Sequence, residues 1–219
     1  MTTGEHWQRV YTEKSAEGVS WFQAVPALSL RLIGAALDRR ASSPAPARFI
    51  DMGGGASTLA DHLLERGAID ISVLDIAAAA LDAAKARLGP SAAKVRWVVA
   101  DALGPLSEIT DGSIDIWHDR AMFHFLTERA DRAAYARNLE RILAPGGTAI
   151  IAAFAPSGPE ACSNLPVMRH DGASIVREVS AAAETPRAWV LSAEHTETHT
   201  TPWGKPQEFV YAVLNRHGT

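Results

Sequence analysis

Three consecutive glycines follow an apolar run in Phe49-Ile50-Asp51-Met52-Gly53-Gly54-Gly55-Ala56-Ser57-Thr58-Leu59. A buried strand that runs into glycines and then a helix lets backbone approach a ligand closely. The N–H groups of the helix start, from Ser57 on, can meet the ligand's polar atoms. The plainer alternative is a tight strand-to-helix turn that needs only positive φ. Two acidic residues favour a ligand. Asp51 closes the strand, where its carboxylate can face the crevice beyond the strand's C-terminal end. Asp75 closes the next apolar run about twenty residues on, the place from which a carboxylate accepts bonds from ribose hydroxyls. A third, Asp101, ends Val98-Val99-Ala100-Asp101-Ala102. A dinucleotide wants G-x-G-x-x-G, but the third glycine position holds Thr58, and Asp51 would repel a pyrophosphate while favouring an ammonium. Three acidic residues at three strand ends fit a positively charged nucleoside.

The segment Trp117-His118-Asp119-Arg120-Ala121-Met122-Phe123-His124-Phe125-Leu126 is the other concentration of chemistry. It follows a strand end, where a doubly wound fold keeps its active site. Taken singly, Phe123 and Phe125 could be core, and Arg120 could pair with Asp119 at the surface. Taken together they make a pocket floor of orienting polar groups and water-excluding aromatics.

The elements that position these residues alternate. Apolar runs at Arg48–Met52, Ile71–Leu74, Val95–Ala100, Ile114–Trp117 and Thr148–Phe154 are expected strands. Helical patterns cover Ser57–Arg66, Ala77–Leu88 and Glu128–Leu143, and another is expected over Gly172–Ala183. That alternation signals a parallel sheet covered on both faces. Ala188–Thr198 and Gln207–Asn215, joined through Pro202-Trp203-Gly204, are expected to pair antiparallel. The fold class is therefore α/β: a doubly wound, Rossmann-like, seven-stranded sheet, mostly parallel, with a C-terminal antiparallel hairpin. A helix over Pro26–Arg39 precedes a linker-like stretch, Ala41–Ala47. The chain divides accordingly into an N-terminal helical segment (1–43) and a main domain (44–219).

These motifs resemble the class I S-adenosylmethionine-dependent methyltransferases: D-x-G-x-G after the first strand, Asp75 after the second, Asp101-Ala102 after the third. The Pro145-Gly146-Gly147 turn before the fifth strand and the terminal hairpin fit as well. The resemblance implies S-adenosylmethionine as cofactor. Gly53 and Gly55 would back its methionine part and Asp51 would lie near its ammonium. Asp75 would take the ribose hydroxyls, Asp101 the adenine amino group, and Ile76 and Ala102 would flank the adenine. Trp7 and Tyr11 (W-x-x-x-Y), Ser20–Phe22, H-D-R-A-M-F-H-F-L, Pro156–Pro166 and Thr201–Phe209 are similar to bacterial relatives of the citrate synthase and elongation-factor lysine methyltransferases. There the N-terminal aromatics form a lid over the cofactor, which implies cofactor contacts for Trp7 and Trp21; Ser57 and His118 are expected cofactor contacts as well. The acceptor is expected to be a protein lysine or another nucleophile, with a small-molecule oxygen, nitrogen or sulfur as the alternative. Methyl transfer from a sulfonium is an in-line displacement that needs no metal, and a carboxylate or imidazole can take the acceptor's proton. Asp119 and His124, then His118, are the expected catalytic residues.

Composition excludes other classes. The 219 residues are 47% hydrophobic and 21% charged, too apolar for disorder, and the net charge of −4 offers no field to attract nucleic acid. No apolar run is long enough to span a membrane, and the N-terminus lacks a signal-peptide core. A single cysteine, Cys162, points to a reducing cytoplasm. His195 and His199, four apart on a strand, stand about 13 Å apart and cannot share a metal ion directly. The rivals are a nicotinamide oxidoreductase, disfavoured by Asp51 and the missing glycine, and a cofactor-binding regulator without catalysis.

Overall fold

The computed structural model describes residues 2–40, 45–68, 70–182 and 189–216. The first four residues of the expected linker lie outside the described residues, and so does the division at 43/44. Ala183 and Ala188, at the edges of two expected elements, lie outside them too. Two helices come first, α1 (Thr3–Glu13) and α2 (Ala27–Arg39). Alternating elements follow: β1 (Arg48–Met52), α3 (Leu59–Glu65), β2 (Asp70–Asp75), α4 (Ala78–Leu88) and β3 (Val95–Val99). Then come β4 (Ile114–Arg120), α5 (Arg129–Ile142) and β5 (Leu143–Phe154). A small hairpin, β6 (Ala161–Cys162) with β7 (Leu165–Pro166), precedes α6 (Gly172–Ala181), β8 (Trp189–Thr200) and β9 (Pro206–Arg216).

Seven strands form one sheet in the order β3-β2-β1-β4-β5-β9-β8. The first five are parallel, and β9 runs antiparallel to both β5 and β8. The α/β class and the terminal hairpin are as the sequence implies. The chain starts at the centre of the sheet, works outward to β3, then returns to the other side of β1. This leaves a crevice between the C-terminal ends of β1 and β4, the switch point at which doubly wound sheets bind ligands.

Two apolar layers sandwich the sheet. On one face Leu28, Leu32 and Ala36 of α2, Leu59 and Leu63 of α3 and Leu81 of α4 pack on Phe49, Ile71 and Ile116. On the other, Tyr135, Leu139 and Ile142 of α5 and Ile175 and Val179 of α6 pack on Ile50, Trp117 and Ile151. The spacing of Tyr135, Leu139 and Ile142 places all three on one helical stripe. Helix starts are fixed by reciprocal capping boxes at Thr2/Glu5 and Asp171/Ser174.

One departure from expectation matters for function. β4 does not stop at Trp117 but continues through His118, Asp119 and Arg120. Strand residues alternate between faces, so His118 and Arg120 go one way and Asp119 the other. Asp119 enters the α5 layer, where its Oδ2 accepts the Tyr135 hydroxyl hydrogen at 2.9 Å. The Tyr135 oxygen in turn accepts from the Trp117 indole N–H at 2.8 Å. All three residues are fully buried. Tyr135→Phe should leave an indole N–H and a carboxylate oxygen unpaired in the core, costing about 1–3 kcal/mol. Urea unfolding is expected to show a lowered midpoint with an unchanged slope.

Candidate active site

The crevice opens into a cavity of about 210 Å³. Its floor is set by sheet register: Asp51 on β1 lies opposite His118 on β4. The Asp51 carboxylate meets His118 Nδ1 at 2.7 Å, and His118 Nε2 meets Ser29 Oγ at 2.9 Å. A carboxylate only accepts, so Nδ1 carries the hydrogen and donates to Asp51, and Nε2 shares the second bond with the Ser29 hydroxyl. Ser29 comes from α2 and is fully buried. Three elements thus meet in one hydrogen-bonded file beside the cavity.

The glycine loop is shaped by its neighbours as much as by any ligand. Gly53 and Gly55 have φ of +65° and +50°. A Cβ at Gly53 would come within 2.8 Å of the Met122 side chain, and one at Gly55 within 2.7 Å of the Tyr11 hydroxyl. At Gly54 it would lie 2.6 Å from Asp51 Oδ2. No side chain fits at any of the three. Arg87 braces the far side of the loop, donating to the Ala56 and Ser57 carbonyls while pairing with Asp61.

Toward β2 and β3 the cavity is lined by Asp75, Ile76, Asp101, Ala102 and Leu103. Asp75 Oδ1 accepts from the Ala77 amide at 2.8 Å. Burial pushes the Asp75 carboxyl up to about 6, although that amide and those of Gly55 and Ile76 pull it down. Asp101 Oδ1 accepts from the Leu103 amide at 2.9 Å. Helix α5 adds Asp131, which also lines this end.

The opposite wall is aromatic. Trp7 and Tyr11 of α1, Trp21 and Phe22 after it, and Phe125 beyond β4 all line the cavity. Trp7 packs edge-on against Trp21 and Phe125 at centroid distances of 5.6 and 5.0 Å. The Trp21 indole N–H donates to the Tyr11 oxygen at 3.3 Å. Arg120 anchors this wall to the sheet: Nη1 donates to the Trp21 carbonyl and Nε to the Tyr211 oxygen, each at 2.9 Å.

Of the residues singled out from sequence as cofactor contacts, Asp51, Gly53, Ser57, Asp75, Ile76, Asp101, Ala102, His118, Trp21 and Trp7 all line the cavity. Gly55 sits behind it, against Tyr11 and Asp75. The catalytic expectations fare differently, for the structure does not bring Asp119 or His124 to the cavity. Asp119 faces α5 because of strand alternation. Its Oδ1 accepts from the amides of Met122 and Phe123 at 3.1 and 3.3 Å, fixing a turn in which Ala121 takes φ of +72°. Burial pushes its carboxyl up to about 7 against the pull of Tyr135 and those amides. His124 is fully buried, stacked on Phe154 at 4.3 Å, and its Nδ1 accepts the Phe154 amide. Their position corrects the expectation that either meets an acceptor. Tyr11 and Arg120 carried sequence signals but no assigned contact. Ser29 carried none, because a serine inside an apolar helix pattern looks like any tolerated small residue.

Residues 49–147 match the family of the methyltransferase domain. No curated protein sequence matches the chain. Among solved structures, one from work on converting a disulfide bond into a thioacetal group during echinomycin biosynthesis is similar over 99% of this chain and 92% of its own, at 20% identity and a TM-score of 0.69. The N-methyltransferase NodS of Bradyrhizobium japonicum WM9, in complex with S-adenosyl-l-homocysteine, is similar over 95% and 97%, at 14% identity and 0.64. The 1,6-didemethyltoxoflavin-N1-methyltransferase of Burkholderia thailandensis is similar over 98% and 84%, at 16% identity and 0.60. At these identities the likeness establishes the fold.

Two buried imidazoles predict an acid response. Burial, with the charges of His170 and Arg120 behind it, holds His124 down at about 3. Burial likewise holds His170 down at about 4. Both lie below the unfolded value of about 6.5, so the unfolded chain takes up protons first and these groups cost stability as pH falls below about 6.5. Asp75 and Asp119, raised in the fold, act with the opposite sign, so the wild-type slope alone is uninformative. His124→Gln keeps an acceptor for the Phe154 amide but takes up no proton. Wild-type stability, measured by urea unfolding from pH 7 to pH 4.5, should fall relative to this variant by up to about 1.4 kcal/mol per pH unit.

Proposed function

We propose that this S-adenosylmethionine-dependent methyltransferase acts on a small molecule held against the aromatic wall, with His118 receiving the acceptor's proton. One observation carries the cofactor reading: Asp51, Asp75 and Asp101, at the ends of three adjacent parallel strands, all line one cavity beside the glycine loop. The residues present fit the cofactor. A buried Asp75 carboxylate with its proton affinity raised to about 6 is stabilised by hydroxyl donors, and a ribose edge supplies them. Asp51, next to the left-handed Gly53, offers negative charge where an ammonium is to be placed. When bound, the cofactor supplies an electrophilic methyl group on a sulfonium.

The protein's own part is alignment, exclusion of water and disposal of a proton. Trp7, Trp21, Phe22 and Phe125 exclude water and confine the acceptor to one approach, and such confinement supplies much of the rate in a displacement of this kind. The acceptor's proton goes to His118, whose Nδ1–H bond to Asp51 stabilises the imidazolium that results. The Ser29 hydroxyl, bonded to Nε2 and itself among the residues lining the cavity, is placed to relay it. A protein lysine, which the sequence resemblance implies, is the second reading. It needs a channel for a long side chain and acidic docking residues. The acids lining this cavity, however, lie at its floor and nucleoside end, and the wall opposite is aromatic.

Methyl-labelled S-adenosylmethionine incubated with the protein and cell extract should deliver label to the small-molecule fraction; label confined to the protein fraction would select lysine instead. Calorimetry with S-adenosylhomocysteine should show affinity falling at least about tenfold in Asp75→Ala, the loss of charge-assisted bonds worth about 1.5–3 kcal/mol each. Wild-type affinity should also weaken as pH drops through about 6, where Asp75 takes up its proton. His118→Gln should lower turnover by about a hundredfold to ten-thousandfold, and lower it far more than it weakens cofactor affinity.

A further inference from the structure

Arg120 is the only lysine or arginine among the described residues that line the cavity, and one corner of its guanidinium is ion-paired without a hydrogen bond. Nε and Nη1 are spent on Tyr211 and the Trp21 carbonyl. Nη2 is buried and has no hydrogen-bond partner among the described residues. The nearest anion, Glu197 Oε2, stands 3.6 Å away and already accepts the Tyr211 hydroxyl hydrogen at 2.9 Å. The arginine side chain is only 9% exposed, and its guanidinium carbon lies 4.6 Å from the Phe209 ring centroid. A buried cationic N–H without an acceptor is costly, and a carboxylate or phosphate oxygen is its strongest remedy. Two fixed bonds and an aromatic plane also hold the guanidinium still, so a ligand that meets it loses little entropy in ordering it.

Its position narrows the ligand. Arg120 follows His118 by two residues on β4 and so lies on the same face as the proposed proton acceptor. It holds the Trp21 carbonyl, and Trp21, Phe22 and Phe125 line the same cavity. We propose that the acceptor is an aromatic or similarly flat molecule carrying an anionic group, and that Arg120 Nη2 grips that group while the aromatics cover its body. This rests on the methyltransferase reading above. Glu197 then acts as the occupant's stand-in, balancing Arg120 until the acid arrives. The rival occupant is the carboxylate of the cofactor's own methionine, since Gly53, one residue beyond β1, lies near the same strand end.

The test uses the whole protein saturated with S-adenosylhomocysteine, titrated with benzoate, 2-hydroxybenzoate, 4-hydroxybenzoate and indole-3-acetate, each against its neutral amide. At least one acid should bind about tenfold or more tighter than its amide, a preference of about 1.4 kcal/mol. Arg120→Met should abolish the preference while S-adenosylhomocysteine affinity stays within about twofold. Because Arg120 also ties down the aromatic wall, a second variant guards against misfolding. Glu197→Gln keeps the guanidinium and removes the competing anion, and should tighten acid binding severalfold. The proposal is overturned if no acid outbinds its amide, or if Glu197→Gln leaves acid binding unchanged. It is also overturned if Arg120→Met lowers S-adenosylhomocysteine affinity in step with acid affinity, which would assign the arginine to the cofactor. Wild-type protein that fails to bind S-adenosylhomocysteine would instead refute the methyltransferase reading on which the proposal stands.

Discussion

The bond between Asp51 and His118 ties the two halves of the sheet together at the point where the chain changes direction. Nothing in the backbone requires a polar pair there; the ladder between β1 and β4 would form with apolar residues. Burying a carboxylate and an imidazole at 4% and 3% exposure is tolerated because each satisfies the other and Ser29 satisfies the remaining ring nitrogen. The consequence spreads outward. Asp51 Oδ2 requires glycine at position 54, the loop it belongs to requires positive φ at 53 and 55, and the open space at Gly55 is where the Tyr11 hydroxyl settles. The buried pair, placed by the strand register, is thus continuous with the loop and the seat of the N-terminal helix.

The same geometry explains how the two sides of the cavity are joined. Tyr11 touches the glycine loop and is bonded to Trp21, and the Trp21 carbonyl is held by Arg120. His199 adds a further tie, its Nε2 within 2.7 Å of the Ser20 carbonyl. The segment from α1 to Phe22 is thus fastened at one end to the loop that faces the expected cofactor and at the other to the β4 end that faces the expected acceptor. Burial raises the Tyr11 hydroxyl's proton affinity, with Asp75 adding to the effect, so it stays a neutral hydrogen-bonding group across the working pH range.

Much of this was legible in the sequence, for identifiable reasons. Strand–helix alternation is a period change that a one-dimensional pattern records, so the parallel sheet and closing hairpin could be read directly. Glycines and acids at strand ends could be read because their chemistry is local: Asp51, Asp75 and Asp101 need only their own strand to point them at the crevice. Asp119 and His124 could not be placed that way. The face a strand residue takes depends on where the strand ends, and three more residues of ladder between β4 and β5 sent Asp119 into the α5 layer. His124 is a further step removed, since only the fold brings Phe154 over its ring. Ser29 needed the three-dimensional meeting of α2 with β4, and no spacing announces it.

Asp119 and His124 nonetheless remain tied to the site, through backbone instead of side-chain contact. The chain leaves β4 through Ala121 in the left-handed region, a conformation that costs an alanine roughly 1–2 kcal/mol. Asp119 holds it there by accepting two amides just beyond, and His124 pins the end of the turn to β5 through the Phe154 amide. That turn delivers Met122 against Gly53 and Phe125 against Trp7. An aspartate placed to touch an acceptor would be exposed to water whenever the site is empty. Buried in the α5 layer, it shapes the cavity in every state of the protein. The polar motif at the end of β4 therefore divides its labour by strand parity: His118 and Arg120, on one face, line the cavity, and Asp119, facing α5, maintains the turn that gives the cavity a wall.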